Sequence, residues 1–177
     1  MTTNKSCGVI YYYKNAITTK KFLFNNKLEG EVKNFYNDKQ LWKIYNFKNG
    51  KIEGEYKEYH YNGYLEIMYN YKNNKYEGEC KLYYQNGQLY IIYNYKNDKK
   101  EGEYKKYYMN GQLYEICNCK NDKLNGEYKR YYENGQLEVI CNCKNNNFEG
   151  EYKKYYENGD LEIIRNYKNG IVYDTFC

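Results

Sequence analysis

From Lys27 onward, polar and apolar residues alternate with a period of two, and short Asn-containing segments interrupt the alternation at regular intervals. Between Lys75 and Gln85, the residues Tyr76, Gly78, Cys80, Leu82 and Tyr84 interleave with Glu77, Glu79, Lys81 and Tyr83. From Gln88 to Lys96, Leu89, Ile91, Tyr93 and Tyr95 interleave with Tyr90, Ile92 and Asn94. Such alternation places successive side chains on opposite faces of a strand, so each run predicts a half-buried β-strand. The interruptions are of two kinds. One is Asn-Gly, at Asn62-Gly63, Asn86-Gly87, Asn110-Gly111, Asn134-Gly135 and Asn158-Gly159. The other runs Lys-Asn-x-Lys, at Lys48 to Lys51, Lys72 to Lys75, Lys96 to Lys99 and Lys120 to Lys123. Asn-Gly is expected to form the two-residue type I′ turn, because both central residues need positive φ, a geometry that Asn-Asn and Asn-Asp tolerate less well. Reflection through Asn86-Gly87 then sets Tyr83 opposite Tyr90, Lys81 opposite Ile92 and Glu79 opposite Asn94.

The pattern repeats. Gly30, Gly54, Gly78, Gly102, Gly126 and Gly150 are each 24 residues apart, five in Glu-Gly-Glu and the sixth preceded by Asn125. A fixed period of this size predicts an array in which each unit buries its face only against its neighbours. The expected fold class is all-β: an elongated single antiparallel sheet of tandem 24-residue β-hairpins. One strand of each hairpin has eleven residues and the other nine. Either the sheet slips by two residues per hairpin, or a bulge near the repeated Gly absorbs the excess.

One face is expected to be apolar throughout, carrying Tyr76, Cys80, Leu82, Tyr84, Leu89, Ile91, Tyr93 and Tyr95 and their equivalents. Around Gly126 that face holds Leu124, Tyr128, Tyr132, Leu137, Val139, Cys141 and Cys143, interrupted by Arg130. The other face carries charges around a narrower stripe of Tyr59, Tyr83, Tyr107, Tyr131 and Tyr155 with Met68, Ile92, Ile116, Ile140 and Ile164. A single sheet with a continuous apolar face covers it by coiling, by dimerising or by binding a partner. This points to a protein partner or a homo-oligomer contact through Tyr84, Leu89, Tyr108, Leu113, Tyr132 and Leu137.

Composition narrows the classes. The 177 residues include 29 Tyr, one Trp, one His and no Pro, an excess consistent with an AT-rich genome. No apolar run approaches the ~20 residues of a membrane-spanning helix. The opening MTTNKSCGVI lacks a basic start followed by an apolar stretch, and the cysteine count of seven is odd. Both point to an intracellular, reducing, cytoplasmic location. The net charge of +5 comes almost wholly from Lys, with Arg130 and Arg165 the only guanidinium groups, which argues against a nucleic-acid reader.

Candidate chemistry is sparse. Cys117 and Cys119 with Cys141 and Cys143 resemble a four-thiolate metal site, but the two pairs fall on equivalent strands of adjacent hairpins, about 9.6 Å apart. The same positions are Tyr69, Tyr71, Tyr93 and Tyr95 in earlier repeats, so these cysteines read as packing residues and no metal or cofactor is expected. His60 takes the place of Tyr84, Tyr108 and Tyr132, and with Ser6 the only serine no catalytic triad can be assembled. The Glu ladder of Glu53, Glu55, Glu77, Glu79, Glu101 and Glu103 reads as a solvated face balanced by Lys57, Lys81 and Lys105. Lys72, Lys75, Lys96, Lys99, Lys120 and Lys123 line one edge, where they either discourage aggregation or meet an anionic membrane surface.

The recurrent L-E-G-E-Y-K-x-Y-Y-x-N-G-Q-L resembles the MORN repeat, in the variant form found in bacterial antitoxin or immunity-type proteins and in large DNA viruses. It covers Lys27 to about Gly170 in six in-phase copies, with residues 1–26 as a degenerate N-terminal cap and 171–177 as a C-terminal cap strand. The resemblance implies side-by-side antiparallel hairpins, roles in scaffolding, protein binding or lipid contact, and no catalytic residues. The chain departs from the pattern where Cys replaces Tyr, and in a first unit whose turn is Asp38-Lys39.

Overall fold

The computed structural model describes residues 7–13, 16–24, 26–37 and 39–173, with the backbone alone described up to residue 24. Parts of both expected caps, residues 1–6 and 174–177, lie outside the described residues. The chain divides into two compact units, one ending at Gly87 and the other beginning at Gln88. The first contains β1 (Cys7–Tyr13), β2 (Ala16–Phe24), β3 (Lys27–Phe35), β4 (Leu41–Lys48), β5 (Lys51–Ile52), β6 (Gly54–Tyr59), β7 (Leu65–Lys72), β8 (Lys75–Tyr76) and β9 (Gly78–Tyr83). The second contains β10 (Leu89–Lys96), β11 (Lys99–Tyr107), β12 (Leu113–Lys120), β13 (Lys123–Tyr131), β14 (Leu137–Lys144), β15 (Asn147–Tyr155), β16 (Leu161–Lys168) and β17 (Ile171–Val172). Within each unit neighbouring strands pair antiparallel, β5 and β6 both on β4 and β8 and β9 both on β7, and the hairpins recur with the spacing of the sequence repeat. No helix of the described residues is long and apolar enough to cross a membrane.

The turn types are the reverse of those expected. Both central residues take positive φ in the Lys-Asn-x-Lys turns, as at Asn97 (51°) with Asp98 (66°) and Asn121 (51°) with Asp122 (66°). These are the type I′ turns. At Asn110-Gly111 only the glycine has positive φ, at 86°. There the Tyr108 carbonyl accepts from the Gly111 N–H at 3.0 Å and the Tyr108 N–H donates to the Gln112 carbonyl at 2.8 Å. That closes a three-residue loop with Gly in the bulge position, and Asn110 stabilises it by accepting from the Gln112 N–H at 2.9 Å. In the type I′ turns the left-handed strain at the second residue is offset by bonds to the preceding repeat. The Asp122 N–H donates to the Lys100 carbonyl at 3.1 Å, and the Lys100 N–H donates to Asp122 Oδ1 at 2.8 Å.

Two bulges set the register. After the three-residue loop the pairing runs Tyr107 with Leu113 and then Lys106 with Glu115, leaving Tyr114 as the extra residue. Beyond it, Lys105 faces Ile116 and Glu103 faces Asn118, which is the register that reflection through a two-residue turn predicts. The bulge compensates for the extra loop residue. Across the type I′ turn, Tyr95 faces Lys100 but Tyr93 faces Tyr104, so the Glu101-Gly102-Glu103 segment holds two residues more than its partner. The same step occurs at β4, where Phe47 faces Ile52 and Ile44 faces Lys57. A bulge, and not a slipping sheet, therefore absorbs the eleven-to-nine mismatch.

Gly102 sits in that bulge at φ 84°, and a Cβ added there would meet nothing within 4 Å. The substitution Gly102→Ala therefore isolates the backbone cost and is expected to destabilise the protein by about 1–2 kcal/mol in urea unfolding. An unchanged midpoint would show that the segment relaxes to another register.

Candidate functional site

The register assigns every described side chain to a face, because residues directly opposite each other point the same way. One face carries the ladder Tyr93, Tyr104, Cys117, Tyr128, Cys141, each paired with the next across adjacent strands. Tyr93, Cys117, Cys119, Val139, Cys141 and Cys143 are buried on this face of the second unit; in the first unit, taken by itself, Val32 and Cys80 are buried. Val139, Cys141 and Cys143 form a cluster roofed by Leu124, Tyr128, Phe148 and Tyr152. Cys117 and Cys141 both face Tyr128, so a tyrosine strand stands between the two cysteine pairs. Among the described residues no group of three or more metal-ligating side chains converges. Within one pair, the Cys117 S–H donates to Cys119 and, with Lys100 adding, brings the Cys119 thiol down to about 7, while hydrogen bonding to Cys119 and burial push Cys117 up. Burial, followed by the Glu115 carboxylate, raises the hydroxyls of Tyr104 and Tyr128.

The one-residue bulge redistributes the residues expected on that face. Tyr108 and Tyr132 lie half-buried, and each spends its hydroxyl on the next repeat, donating to the carbonyls of Tyr131 (2.9 Å) and Tyr155 (2.8 Å). Tyr36 does the same to the Tyr59 carbonyl at 2.8 Å. His60 imitates them, with Nε2 3.4 Å from the Tyr83 carbonyl. Tyr84 is half-buried, its carbonyl accepting from the Gly87 N–H at 2.9 Å. Leu113 and Leu137, expected beside these tyrosines, instead face Tyr107 and Tyr131 and so belong to the opposite face. Leu89 begins β10 at the equivalent position and is half-buried. The residues after these leucines move the other way. Tyr114 packs edge-on against Tyr108 at 5.0 Å, and Lys106 Nζ lies over the rings of Tyr90 (5.3 Å) and Tyr114 (4.9 Å). Tyr90, expected on the polar face, thus joins the tyrosine face. Glu138 likewise reaches Arg130 there, in a two-pronged pair with both N–O distances 2.7 Å.

The opposite face carries a second ladder, Ile92, Lys105, Ile116, Lys129, Ile140, Lys153, Ile164. Each lysine bonds the glutamate two residues earlier, as Lys105 with Glu103 at 2.5 Å and Lys129 with Glu127 at 2.6 Å. Such exposed pairs contribute little stability. The first glutamate of four of the Glu-Gly-Glu segments has another role. Glu29, Glu53, Glu101 and Glu149 accept from the N–H of Asn49, Asn73, Asn121 and Asn169, one turn further along, at 2.7–3.0 Å. The Glu ladder is therefore two ladders, of which only one balances lysines. At the type I′ turns Lys72 pairs with Lys75, Lys96 with Lys99 and Lys120 with Lys123, all exposed.

The hydroxyl and carboxylate clamps between repeats escape a reading by periodicity, although their constant offsets of 23 and 20 residues are visible once the turn geometry is known. A third feature was also missed. Phe35, Tyr36, Asn37, Trp42 and Tyr61 line a cleft of about 430 Å³ in the first unit.

The family profile described as MORN repeat variant matches residues 28–49, 52–73, 76–97, 100–121, 124–145 and 148–169. No curated protein matches the chain. Among solved structures, the GtfA/B complex bound to UDP and GlcNAc aligns over 63% of this chain at 12% identity, with a TM-score of 0.28. This chain spans 22% of that protein's length, and a similarity so low carries no argument.

The clamp between repeats generates a direct expectation. Tyr108→Phe removes the donor to the Tyr131 carbonyl and keeps the ring, and should cost about 0.5–1 kcal/mol in equilibrium unfolding. An equal or larger loss from Tyr155→Phe, whose ring lies on the other face, would contradict the role given to the Tyr108 hydroxyl.

Proposed function

This chain belongs to the MORN repeat variant family, and we propose that it is a non-enzymatic scaffold that binds a protein partner, or a second copy of itself, through the isoleucine face. MORN repeats are commonly scaffolds for protein or membrane interaction. The observation that carries the reading is the division of labour between faces. The tyrosine face is filled by its own rings, and several of its hydroxyls are spent on neighbouring repeats. The isoleucine face instead presents cross-strand pairs, Tyr107 with Leu113 and Tyr131 with Leu137, in line with Ile116 and Ile140. Aromatic and aliphatic side chains arrayed beside solvated Lys–Glu pairs match the make-up of a protein interface, with an apolar centre and a charged rim.

A second reading rests on the lysine pairs across the type I′ turns. In the second unit Glu101 is engaged by a turn N–H group, and the exposed Lys96, Lys99, Lys120 and Lys123 form a basic edge suited to an anionic lipid surface, with Lys72 and Lys75 as an equivalent exposed pair in the first unit. The two readings respond differently to salt, which screens exposed charges over ~8–10 Å and leaves apolar contacts intact.

The double variant Leu113→Glu with Leu137→Glu should weaken self-association or partner capture by about tenfold or more, read by sedimentation across a concentration series and by pull-down. A wild-type protein that is monomeric throughout and captures nothing would remove the reading's basis. Co-sedimentation with vesicles that requires anionic lipid, disappears in high salt and survives the leucine changes would transfer the function to the lysine edge.

A further inference from the structure

The Asn-Gly dipeptides of this chain are not all held alike. Asn62, Asn134 and Asn158 each fix the side-chain amide with two hydrogen bonds. The carboxamide oxygen accepts from the N–H two residues further on, at 3.1, 2.9 and 3.0 Å. The amide nitrogen of Asn62 donates to the Gln85 carbonyl at 2.8 Å, that of Asn134 to the Glu157 carbonyl at 3.2 Å and that of Asn158 to Asp160 Oδ2 at 2.8 Å. Asn110 keeps the first bond, from the Gln112 N–H at 2.9 Å, but its amide nitrogen has no partner among the described residues.

The glycines that follow differ in the same way. A Cβ at Gly63 would lie 3.2 Å from Gln40 Nε2, at Gly87 3.0 Å from the Tyr64 ring, at Gly135 3.2 Å from Gln112 Oε1 and at Gly159 3.2 Å from Gln136 Oε1. In each case a side chain of the preceding repeat lies over the loop. At Gly111 a Cβ would meet nothing within 4 Å. Three further Asn-Gly pairs are restrained by backbone. Gly50 and Gly170 donate their N–H to the Leu28 and Phe148 carbonyls at 2.8 and 2.9 Å, and Gly126 lies within β13, paired with Cys143. Asn110 and Gly111 are exposed, next to Met109 at 58% exposure.

We infer that Asn110-Gly111 is a site of spontaneous deamidation, where the fold leaves the Asn110 carboxamide open to conversion into aspartate and isoaspartate. Hydroxide takes the proton from the Gly111 nitrogen, which attacks Asn110 Cγ. A C–N bond forms, the Cγ–Nδ2 bond breaks, and ammonia leaves with a proton from water. Water then adds to either carbonyl of the five-membered succinimide and opens it. Glycine permits the attack because no Cβ hinders the approach or the backbone rotation it needs. In the native loop the Gly111 N–H is held by the Tyr108 carbonyl at 3.0 Å and Asn110 Oδ1 by the Gln112 N–H, so the loop opens locally before it reacts. Asn62, Asn134 and Asn158 must break equivalent bonds, and also the amide N–H bond and the contact over the glycine. Isoaspartate carries the main chain through Cβ. It thus adds a carbon to the loop that the Tyr108 N–H and Gln112 carbonyl close at 2.8 Å, just before the bulge that sets Leu113 opposite Tyr107.

The full chain is incubated at mildly alkaline pH, sampled over time and digested, and mass spectrometry of the peptides follows amide-to-acid conversion at each Asn-Gly. A parallel sample is kept unfolded in urea. In the folded protein Asn110 is expected to convert at least about fivefold faster than Asn62, Asn134 or Asn158, and in urea the rates should converge. Gln136→Ala, at an exposed position, removes the side chain over Gly159 and should speed Asn158 about threefold while leaving Asn110 unchanged. A folded-state rate at Asn110 no greater than at Asn134 or Asn158 overturns the inference. A lead for Asn110 that persists undiminished in urea does so too, since it would belong to the local sequence and not to the missing contacts. An Asn158 rate unmoved by Gln136→Ala removes the protective role given to the neighbouring repeat.

Discussion

The type I′ turns at Asn73-Asn74, Asn121-Asp122 and Asn145-Asn146 are clamped to the repeat before them, and the rest of the architecture hangs on that clamp. The second turn residue exchanges backbone and side-chain hydrogen bonds with a strand 22 residues earlier, as Asp122 does with Lys100 and Asn146 with Leu124. At Asn73, Asn121 and Asn169 the first turn residue gives its N–H to a glutamate 20 residues earlier. Left-handed backbone at two successive non-glycine residues is costly, and these bonds offset the cost only while the neighbouring repeat stands at a fixed distance. The clamp thus couples a local strain to the spacing of the array, and insertion of a residue between clamp and turn would break both.

The bulges do the complementary work. Placing two extra residues around the repeated glycine lets strands of unequal length stay in register, so no shear accumulates from hairpin to hairpin. The single extra residue beside each Asn-Gly loop has the opposite effect on chemistry, because it exchanges the faces of two successive side chains. Through it the leucines leave the tyrosine face, and Tyr114, Glu138 and Trp42 occupy the bulge position. The charged pair of Arg130 with Glu138 on an otherwise apolar face is a product of this exchange.

On so regular a backbone, substitutions act as local edits. Cysteine in place of tyrosine fills the same ladder with less volume and is covered by the rings of adjoining strands. Histidine in place of tyrosine keeps an inter-repeat contact from a ring nitrogen. Tryptophan at the bulge position of β4 and tyrosine in the β6–β7 loop line an aromatic cleft in the first unit. Function in such an array is a question of which edits coincide on which surface.

Much was legible in the amino-acid order itself: strands from the period-two alternation, hairpins from the two turn series, six repeats from the 24-residue spacing of glycine, and a buried ladder through Tyr93, Cys117 and Cys141. These follow from local backbone preferences and from burial, which act on each residue nearly independently of its distant neighbours. The choice between slip and bulge, the reversal of turn types, the face taken by Leu113 and Leu137, and the engagement of Tyr108, Tyr132 and Glu101 depended on tertiary structure. The physical reason is common to all of them. A period-two pattern loses its phase wherever one residue is left unpaired, and whether a residue is left unpaired is decided by the strand lying next to it.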